Sequence, residues 1–294
     1  MLIDKPGRYE NVSFADYLAD PCPEPALSRS VIKDLLRCPA KAFYNHPRLN
    51  PGGCEKKESE KFDIGTAAHA LFLQGMNVAD VIDADDWRTK EAKLARTEAR
   101  EAGKVPLLTS QFCAVNNMVE IANASLLNEM GLKISDGTPE VTYIWQEDKT
   151  WIKTRLDWHG RQKQLIIDYK TTEDASPTGF NRIAASTGLD IQQSLYTRGV
   201  IAVDGIIPEF IFMVQEVDPP HICQFYQLDP MFSDMGEGKV NQGITIWREC
   251  METGKWPGYS SGINRLEPPP FALAAWESKR FTFEVERKNE YGGL

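Results

Sequence analysis

An apolar strand that ends in a carboxylate and an ammonium constrains the fold of this chain more than any other feature. The segment LIIDYKTT, residues 165–172, places Asp168 and Lys170 two residues apart after a short apolar run. Because side chains alternate along a strand, both charged groups are expected on one face of a sheet. Such a triplet is weak evidence alone, since a salt bridge at the end of a strand produces the same pattern.

The residues before this segment add two further acids. Strands are expected at 141–145 and 151–157, with Glu140 at the start of the first and Asp157 at the end of the second. A hairpin between 151–157 and the Asp168 strand would bring Asp157 beside Asp168, and Glu140 could join them. By the same alternation, Lys153 and Arg155 would share one face with Asp157.

Converging carboxylates repel one another unless a cation lies among them. Oxygen ligands favour a hard ion, here Mg²⁺, with Mn²⁺ as a substitute. Such an ion neutralises charge on a phosphate and activates a bound water, and an adjacent lysine can orient or deprotonate that water. The pattern therefore predicts a phosphodiester-hydrolysing site whose catalytic residues are Glu140, Asp157, Asp168 and Lys170.

The other predicted elements surround this strand cluster. Helical periodicity and breaker residues predict helices near 28–38, 42–44, 65–75, 85–104, 109–130, 189–203 and 233–252, and strands near 210–217 and 222–228. Helices that flank a strand cluster indicate an α/β sandwich with a mixed sheet. We expect one domain over 1–294, with a helical and loop extension at 1–60, a core at 61–256 and a tail at 257–294.

The net charge of −9 argues against a protein that coats nucleic acid non-specifically. Positive charge is nevertheless concentrated locally. Residues 29–61 carry eight Lys or Arg against four acids, and residues 149–172 carry six against two. The first of these clusters could equally be a solvated face. No apolar run is long enough to cross a bilayer and the N-terminus has no secretory signal, so a cytoplasmic location and no membrane partner are expected.

Short motifs follow one another in a fixed order along the chain. Gly65–His69 has the form GxxxH, Glu140 precedes the hairpin, Arg155–Asp157 has the form (K/R)xD, Asp168–Lys170 is DxK, and Gln192–Tyr196 is QxxxY. This set, over roughly residues 27–260, resembles PD-(D/E)XK nucleases of the RecB/RecE type. The similarity is greatest to the RecE-like (exodeoxyribonuclease VIII) exonucleases of phages and prophages.

The resemblance implies a restriction-endonuclease-like core and a role for each matched residue. The implied metal ligands are His69, Glu140, Asp157, Asp168 and the backbone carbonyl of Tyr169. The candidates for substrate binding are Gln192, Tyr196, Arg155, Lys153 and Thr171, and Arg29 and Lys33 are further candidates for a terminal phosphate. Packing beneath the sheet is an alternative for Tyr196, and solvation of a strand face is an alternative for Lys153, Arg155 and Thr171.

The resemblance also implies a function. It points to a processive 5′→3′ exonuclease on double-stranded DNA ends that leaves single-stranded tails for recombination, acts with a single-strand annealing protein, and forms a homo-oligomer, with a tetramer favoured. An endonuclease, a single-strand-specific nuclease and a non-catalytic DNA-binding subunit stay open as alternatives. The six cysteines form no CxxC pair, and Cys38 lacks the C-terminal trio found in iron–sulfur relatives, so no such cluster is expected.

Overall fold

The computed structural model describes residues 1–53, 60–162 and 164–291. Cys54, Lys56, Lys57 and Lys163 lie outside the described residues, as does much of the polar loop expected at 45–60. The chain divides into two compact units, Met1–Pro257 and Gly258–Leu294. The second unit contains one long helix, in which the guanidinium of Arg280 lies 5.4 Å from the ring centroid of Trp276.

The first unit contains both strands and helices. The strands are β1 Gly7–Tyr9, β2 Ala79–Ile82, β3 Val105–Leu108, β4 Gly137–Glu147, β5 Thr150–Gly160, β6 Leu165–Thr172, β7 Glu209–Glu216 and β8 Cys223–Tyr226. The helices are α1 Phe14–Leu18, α2 Arg29–Arg37, α3 Pro39–Asn45, α4 Glu60–Gln74, α5 Lys90–Glu101, α6 Thr109–Met130, α7 Pro177–Thr187, α8 Leu189–Asp204 and α9 Pro230–Thr253, with α10 Pro270–Tyr291 in the second unit. No helix in the described ranges combines the length and apolar character that a membrane crossing requires.

The main sheet has the strand order β1-β4-β5-β6-β7-β8. Strands β6 and β7 are parallel, and the other neighbouring pairs are antiparallel. One core cluster packs β6 and β7 against α2, α7, α8 and α9, and a second packs them against α4 and α6. Adjacent residues Ile166 and Ile167 belong to opposite clusters, as alternation requires. The predicted mixed sheet flanked by helices is therefore confirmed.

A two-residue turn sets the register of the central hairpin. Asp148 and Lys149 both have positive φ, at 45° and 74°, and Glu147 pairs with Thr150 on either side of them. Positive φ at both central residues is typical of a type I′ turn, whose twist matches that of the flanking strands. Counting back from this turn places Glu140 directly opposite Asp157.

The regular ladder of the hairpin is interrupted at these two acids. Pro139 pairs with Trp158 and Val141 with Leu156, whereas Glu140 has a left-handed φ of 57°. Leu156 packs in the first core cluster, but Trp158, two residues on, packs in the second. The prediction that Lys153, Arg155 and Asp157 share one face assumed that side chains alternate regularly along β5. That regular alternation ends at Asp157.

Glycines allow α9 to pack closely on its neighbours. A Cβ at Gly236 would clash with the backbone carbonyl oxygen of Asp190 in α8, and a Cβ at Gly243 would lie 2.7 Å from Cγ2 of Ile32 in α2. Backbone atoms cannot move aside as a flexible side chain can. The approach of α8 to α9 therefore requires a glycine at position 236.

We predict that Gly236→Ala lowers the free energy of unfolding by about 1–3 kcal/mol or more, because the new methyl group overpacks the interface. Gly238→Ala is the matched control: it lies in the same helix, and its Cβ would meet no atom within 4 Å. The control should be neutral or up to about 1 kcal/mol stabilising, since alanine favours a helix interior. Urea unfolding of both variants measures the difference, and equal stabilities would contradict the prediction.

Candidate active site

Strand β6 brings two charged side chains of the expected set together. Asp168 is fully buried, and the ammonium of Lys170 forms an ion pair with its Oδ1. The same Nζ lies 3.8 Å from Oδ2 of Asp157 on the neighbouring strand. Alternation along β6 and pairing with β5 therefore place both carboxylates against one lysine, as the sequence pattern predicts.

The two aspartates differ in their electrostatic surroundings. Burial opposes ionisation of Asp157, but Lys170 and His69 outweigh it, and a hydrogen bond of 3.0 Å from the Tyr169 amide adds to their effect. The pKa of Asp157 is therefore lowered to about 2. Burial and the charge of Asp157 raise the pKa of Asp168 to about 6, although Lys170 opposes this. An additional cation near Asp168 would stabilise its ionised form.

Helix α4 supplies an imidazole between two of the acids. Nδ1 of His69 lies 3.4 Å from Oε1 of Glu140, and Nε2 lies 3.3 Å from Oδ2 of Asp157. Burial lowers the pKa of His69, but the two carboxylates more than offset this and raise it above its ordinary value. A Cβ at Gly65 would lie 2.6 Å from Oγ1 of Thr171, so the helix approaches β6 closely at this residue.

Glu140 is held by side chains from two elements. Nε of Arg155 donates to its Oε2, and Gln74 Nε2 donates to its Oε1 at 3.3 Å. Nη1 of the same arginine donates to the carbonyl oxygen of Val12 at 2.6 Å. Burial and Asp157 raise the pKa of Glu140, whereas His69 and Arg155 oppose that shift. The placement of Arg155 favours the positioning of Glu140 over direct contact with substrate.

Lys153, expected to bind substrate, is buried beneath the N-terminal segment. Its Nζ donates to the carbonyl oxygen of Tyr17 at 2.5 Å and lies 3.3 Å from Oδ1 of Asp20. Asp20 is itself buried, and its Oδ2 accepts a hydrogen bond of 2.9 Å from the Ala26 amide. Substrate binding by Lys153 stays a prediction, and this placement favours a structural role.

The two residues of the QxxxY motif on α8 lie in different surroundings, one at the site and one in the core. Gln192 is buried, and its Nε2 donates to Oδ2 of Asp168. Tyr196 is also buried and packs against Phe210, with ring centroids 6.3 Å apart. Gln192 thus belongs to the site, while the position of Tyr196 agrees with the alternative of packing beneath the sheet.

Tyr169 has its side chain on the opposite face of the sheet. Its hydroxyl donates to Oε1 of Gln215 at 2.5 Å, and its ring lies 5.0 Å from that of Phe72. The predicted ligation of metal by its carbonyl stays a prediction. Gln74, a partner of Glu140, was not expected from the sequence, because one glutamine at the end of a helix carries no distinctive pattern.

The donor chemistry of the site fits a divalent cation. Three carboxylates and an imidazole converge, and hard cations such as Mg²⁺ and Mn²⁺ prefer oxygen ligands. In the part of the chain that the structure describes, no three His, Cys, Asp or Glu side chains already stand in a metal-binding arrangement. The acids instead contact His69, Lys170 and Arg155. The residue types therefore fit the ion, and their present contacts are those of an ion-pair network.

Comparisons with known proteins agree with this geometry. A family model described as "PDDEXK-like domain of unknown function (DUF3799)" matches residues 28–268. The chain belongs to this family. Nucleases with this fold typically use divalent metal ions. No curated protein matches the chain.

One solved structure shows the same fold. The crystal structure of a candidate exonuclease from Eubacterium rectale has a TM-score of 0.58 at 14% identity and covers 94% of this chain and 98% of its own. The crystal structure of SSO0001 matches with a TM-score of 0.28 at 12% identity, covering 85% of this chain and 99% of its own. The first comparison supports the fold of this PDDEXK-like chain and carries no activity to it.

We predict that Lys153→Ala destabilises the protein by about 3–5 kcal/mol, because it leaves the buried carboxylate of Asp20 without its ammonium partner. His46 and Arg48 lie 3.6 and 3.9 Å from Asp20, so the loss should fall toward the lower end of that range. Lys93→Ala, on the exposed surface of α5, is the control and should change stability by less than about 0.5 kcal/mol. Weaker DNA binding at unchanged stability would instead favour a substrate-binding role for Lys153.

We also predict that Gly65→Ala and Thr171→Ala are coupled. The first change alone should cost about 1–3 kcal/mol of stability by overpacking α4 against β6. Removing Oγ1 of Thr171 relieves the contact, so Gly65→Ala should cost less in a Thr171→Ala background than in the wild-type chain. Chemical unfolding of the four proteins gives the coupling energy, and additive losses would show that Thr171 does not limit the approach.

Proposed function

We propose that this chain is a divalent-metal-dependent deoxyribonuclease that acts as an exonuclease on the ends of double-stranded DNA. The observation that carries this proposal is the convergence of Glu140, Asp157, Asp168 and Lys170, with His69 between two of the acids. A salt bridge at the end of a strand would need one carboxylate and one cation. Three largely buried carboxylates at one point are unfavourable for stability and are better explained by chemistry.

Each side chain has a role in the proposed reaction. Glu140, Asp157, Asp168 and His69 would hold the ion, proposed to be Mg²⁺ with Mn²⁺ as a substitute. When bound, a divalent cation neutralises charge on the scissile phosphate and polarises a water molecule. Lys170, held between the two aspartates, orients the attacking water and stabilises negative charge on the phosphate.

Two further side chains, one neutral and one cationic, position the acids. Gln192 holds Asp168 by a hydrogen bond to Oδ2, and Arg155 holds Glu140 by a hydrogen bond to Oε2. Both are buried or nearly so, and their contacts restrict the rotamers of the carboxylates. Small displacements of a reacting group lower the rate sharply, so such restraints contribute to catalysis without contact with substrate.

Finer features of the proposal rest on the ordered motifs alone. These are processive 5′→3′ digestion, production of single-stranded tails for recombination, an annealing protein as partner and assembly into a homo-tetramer. Size-exclusion chromatography with light scattering tests the last of these. A particle of four chains supports a ring around the DNA, and a monomer at assay concentrations contradicts it.

We predict that the wild-type protein, with Mg²⁺, degrades linear duplex DNA from one end and leaves covalently closed circles intact. Asp168→Ala and Lys170→Ala should each lower the rate at least about 100-fold, because they remove a metal ligand or the group that orients the water and stabilises charge on the phosphate. The matched controls are Asp83→Ala, in the segment after β2, and Lys93→Ala, on α5; both residues are exposed, and both variants should retain activity. Substrates labelled separately at the 5′ and 3′ ends measure rate and polarity together, and circular dichroism shows that each variant is folded.

Other results would assign a different function. Cleavage of circles identifies an endonuclease, and digestion of single strands alone identifies a single-strand-specific enzyme. If the wild-type protein is inactive with every divalent metal but binds DNA, the chain is a DNA-binding subunit. Full activity of folded Asp168→Ala would show that the catalytic site lies elsewhere.

A further inference from the structure

Basic residues form one line along helix α2. Arg29, Lys33 and Arg37 are spaced at i, i+4 and i+8, which places them on one side of a helix. The opposite side is apolar and buried, and it consists of Val31, Ile32 and Leu35. The line of charge therefore faces away from the core.

Two of these residues form no ion pair with another residue that the structure describes. Lys33 and Arg37 are exposed, and neither forms an ion pair with any other residue that the structure describes. The acid of the same helix, Asp34, accepts a hydrogen bond of 2.8 Å from Nδ2 of Asn45. On a chain with a net charge of −9, two exposed and unpaired basic groups in line with a third form a distinct positive feature.

The line begins beside the candidate active site. Nη2 and Nε of Arg29 donate to the carbonyl oxygens of Thr187 and Gly188, at 2.9 and 3.3 Å. The Gly188 carbonyl also accepts the backbone N–H of Gln192 at 3.2 Å, and the side chain of Gln192 binds Asp168. One short chain of contacts thus connects the first basic residue of α2 to the buried aspartate.

Lys33 follows Arg29 along the same surface. A Cβ placed on Gly188 would lie 3.8 Å from Cδ of Lys33, so the lysine side chain passes over the junction between α7 and α8. Arg37 lies one further turn away from the site. The three residues therefore lead outward from the acids along the helix axis.

The spacing matches the repeat of a nucleic-acid backbone. Four residues of an α-helix advance by about 6 Å, which is comparable to the distance between neighbouring phosphates on one strand. Contacts between basic side chains and phosphates supply most of the sequence-independent affinity for DNA. Because the proposed function places DNA at the neighbouring acids, a nucleic-acid strand is a better match than an acidic protein surface.

We propose that Arg29, Lys33 and Arg37 form a track that binds successive phosphates of one DNA strand and leads it to or from the acids of β6. This inference rests on the proposed nuclease function, and it adds the path of the strand. Arg29 fixes the origin of the track through its contacts with the α7–α8 junction. Lys33 and Arg37 supply the exposed charges, so they are the residues to test.

The experiment compares two double variants of the full chain. Lys33→Gln/Arg37→Gln removes two charges from the track, and Lys90→Gln/Lys93→Gln removes two exposed charges from α5 as a matched control. Fluorescence anisotropy with EDTA measures binding without cleavage, over a range of salt concentrations, for single-stranded and duplex DNA of equal length. Thermal melting checks that both variants are folded.

The slope of log Kobs against log salt should become less steep for the track variant. Two lost phosphate contacts change it by about 1.4 on single-stranded DNA or about 1.8 on duplex DNA. The control slope should stay unchanged. A change confined to single strands assigns the track to a separated strand, and a change confined to duplex assigns it to the incoming end.

Two outcomes would overturn the track. One is an unchanged slope in the track variant, and the other is an equal change in both variants, which would reflect total charge alone. Nuclease activity is measured separately with Mg²⁺. If the slope becomes less steep but the wild-type protein has no nuclease activity, the track is supported and the proposed function is contradicted. If the wild-type protein is an active nuclease but the slope is unchanged, the proposed function is supported and the track is contradicted.

Discussion

Electrostatic repulsion among Glu140, Asp157 and Asp168 is the constraint on which the organisation of the site depends. Separate elements bring a compensating charge to each acid: Arg155 from β5, His69 from α4 and Lys170 from β6. Arg155 and Lys170 come from the same two adjacent strands that carry Asp157 and Asp168, whereas His69 comes from the distant α4. The contacts of His69 with Glu140 and Asp157 therefore form only when α4 packs against the sheet.

The N-terminal segment contributes to this compensation indirectly, through its contacts with the basic residues of β5. The Val12 carbonyl holds the guanidinium of Arg155, and the ring centroid of Tyr17 lies 5.9 Å from it. Asp20 pairs with Lys153 two residues earlier on the same strand. The segment expected to be an extension thus covers the strand that carries Asp157, and it limits the positions open to the arginine that holds Glu140.

Local patterns in the sequence predicted the elements that local forces determine. The apolar run before Asp168 and the small residues around Gly65 identified β6 and α4, and both lie where the pattern placed them. The surroundings of Lys153 were not predictable, because its partner Asp20 lies 133 residues earlier and leaves no periodic signal. The change of face at Asp157 was missed because alternation assumes an unbroken ladder. Strands β2 and β3 were not predicted because each has four residues, too few to show a reliable alternation of apolar and polar side chains. Helix α10 was not predicted because the prolines before it indicated an irregular tail.

The turn at Asp148 and Lys149 has a consequence for how such chains can evolve. Exposed turns ordinarily tolerate insertions, because few contacts depend on their length. Here the length of the turn sets the register in which Glu140 faces Asp157, although about 27 Å of strand separates the turn from the acids. One inserted residue would move every pairing in the hairpin by one step and bring Pro139 or Val141 opposite the aspartate. Descendants of this chain can therefore exchange the two turn residues only for others that tolerate positive φ, such as Gly or Asn, and cannot change their number.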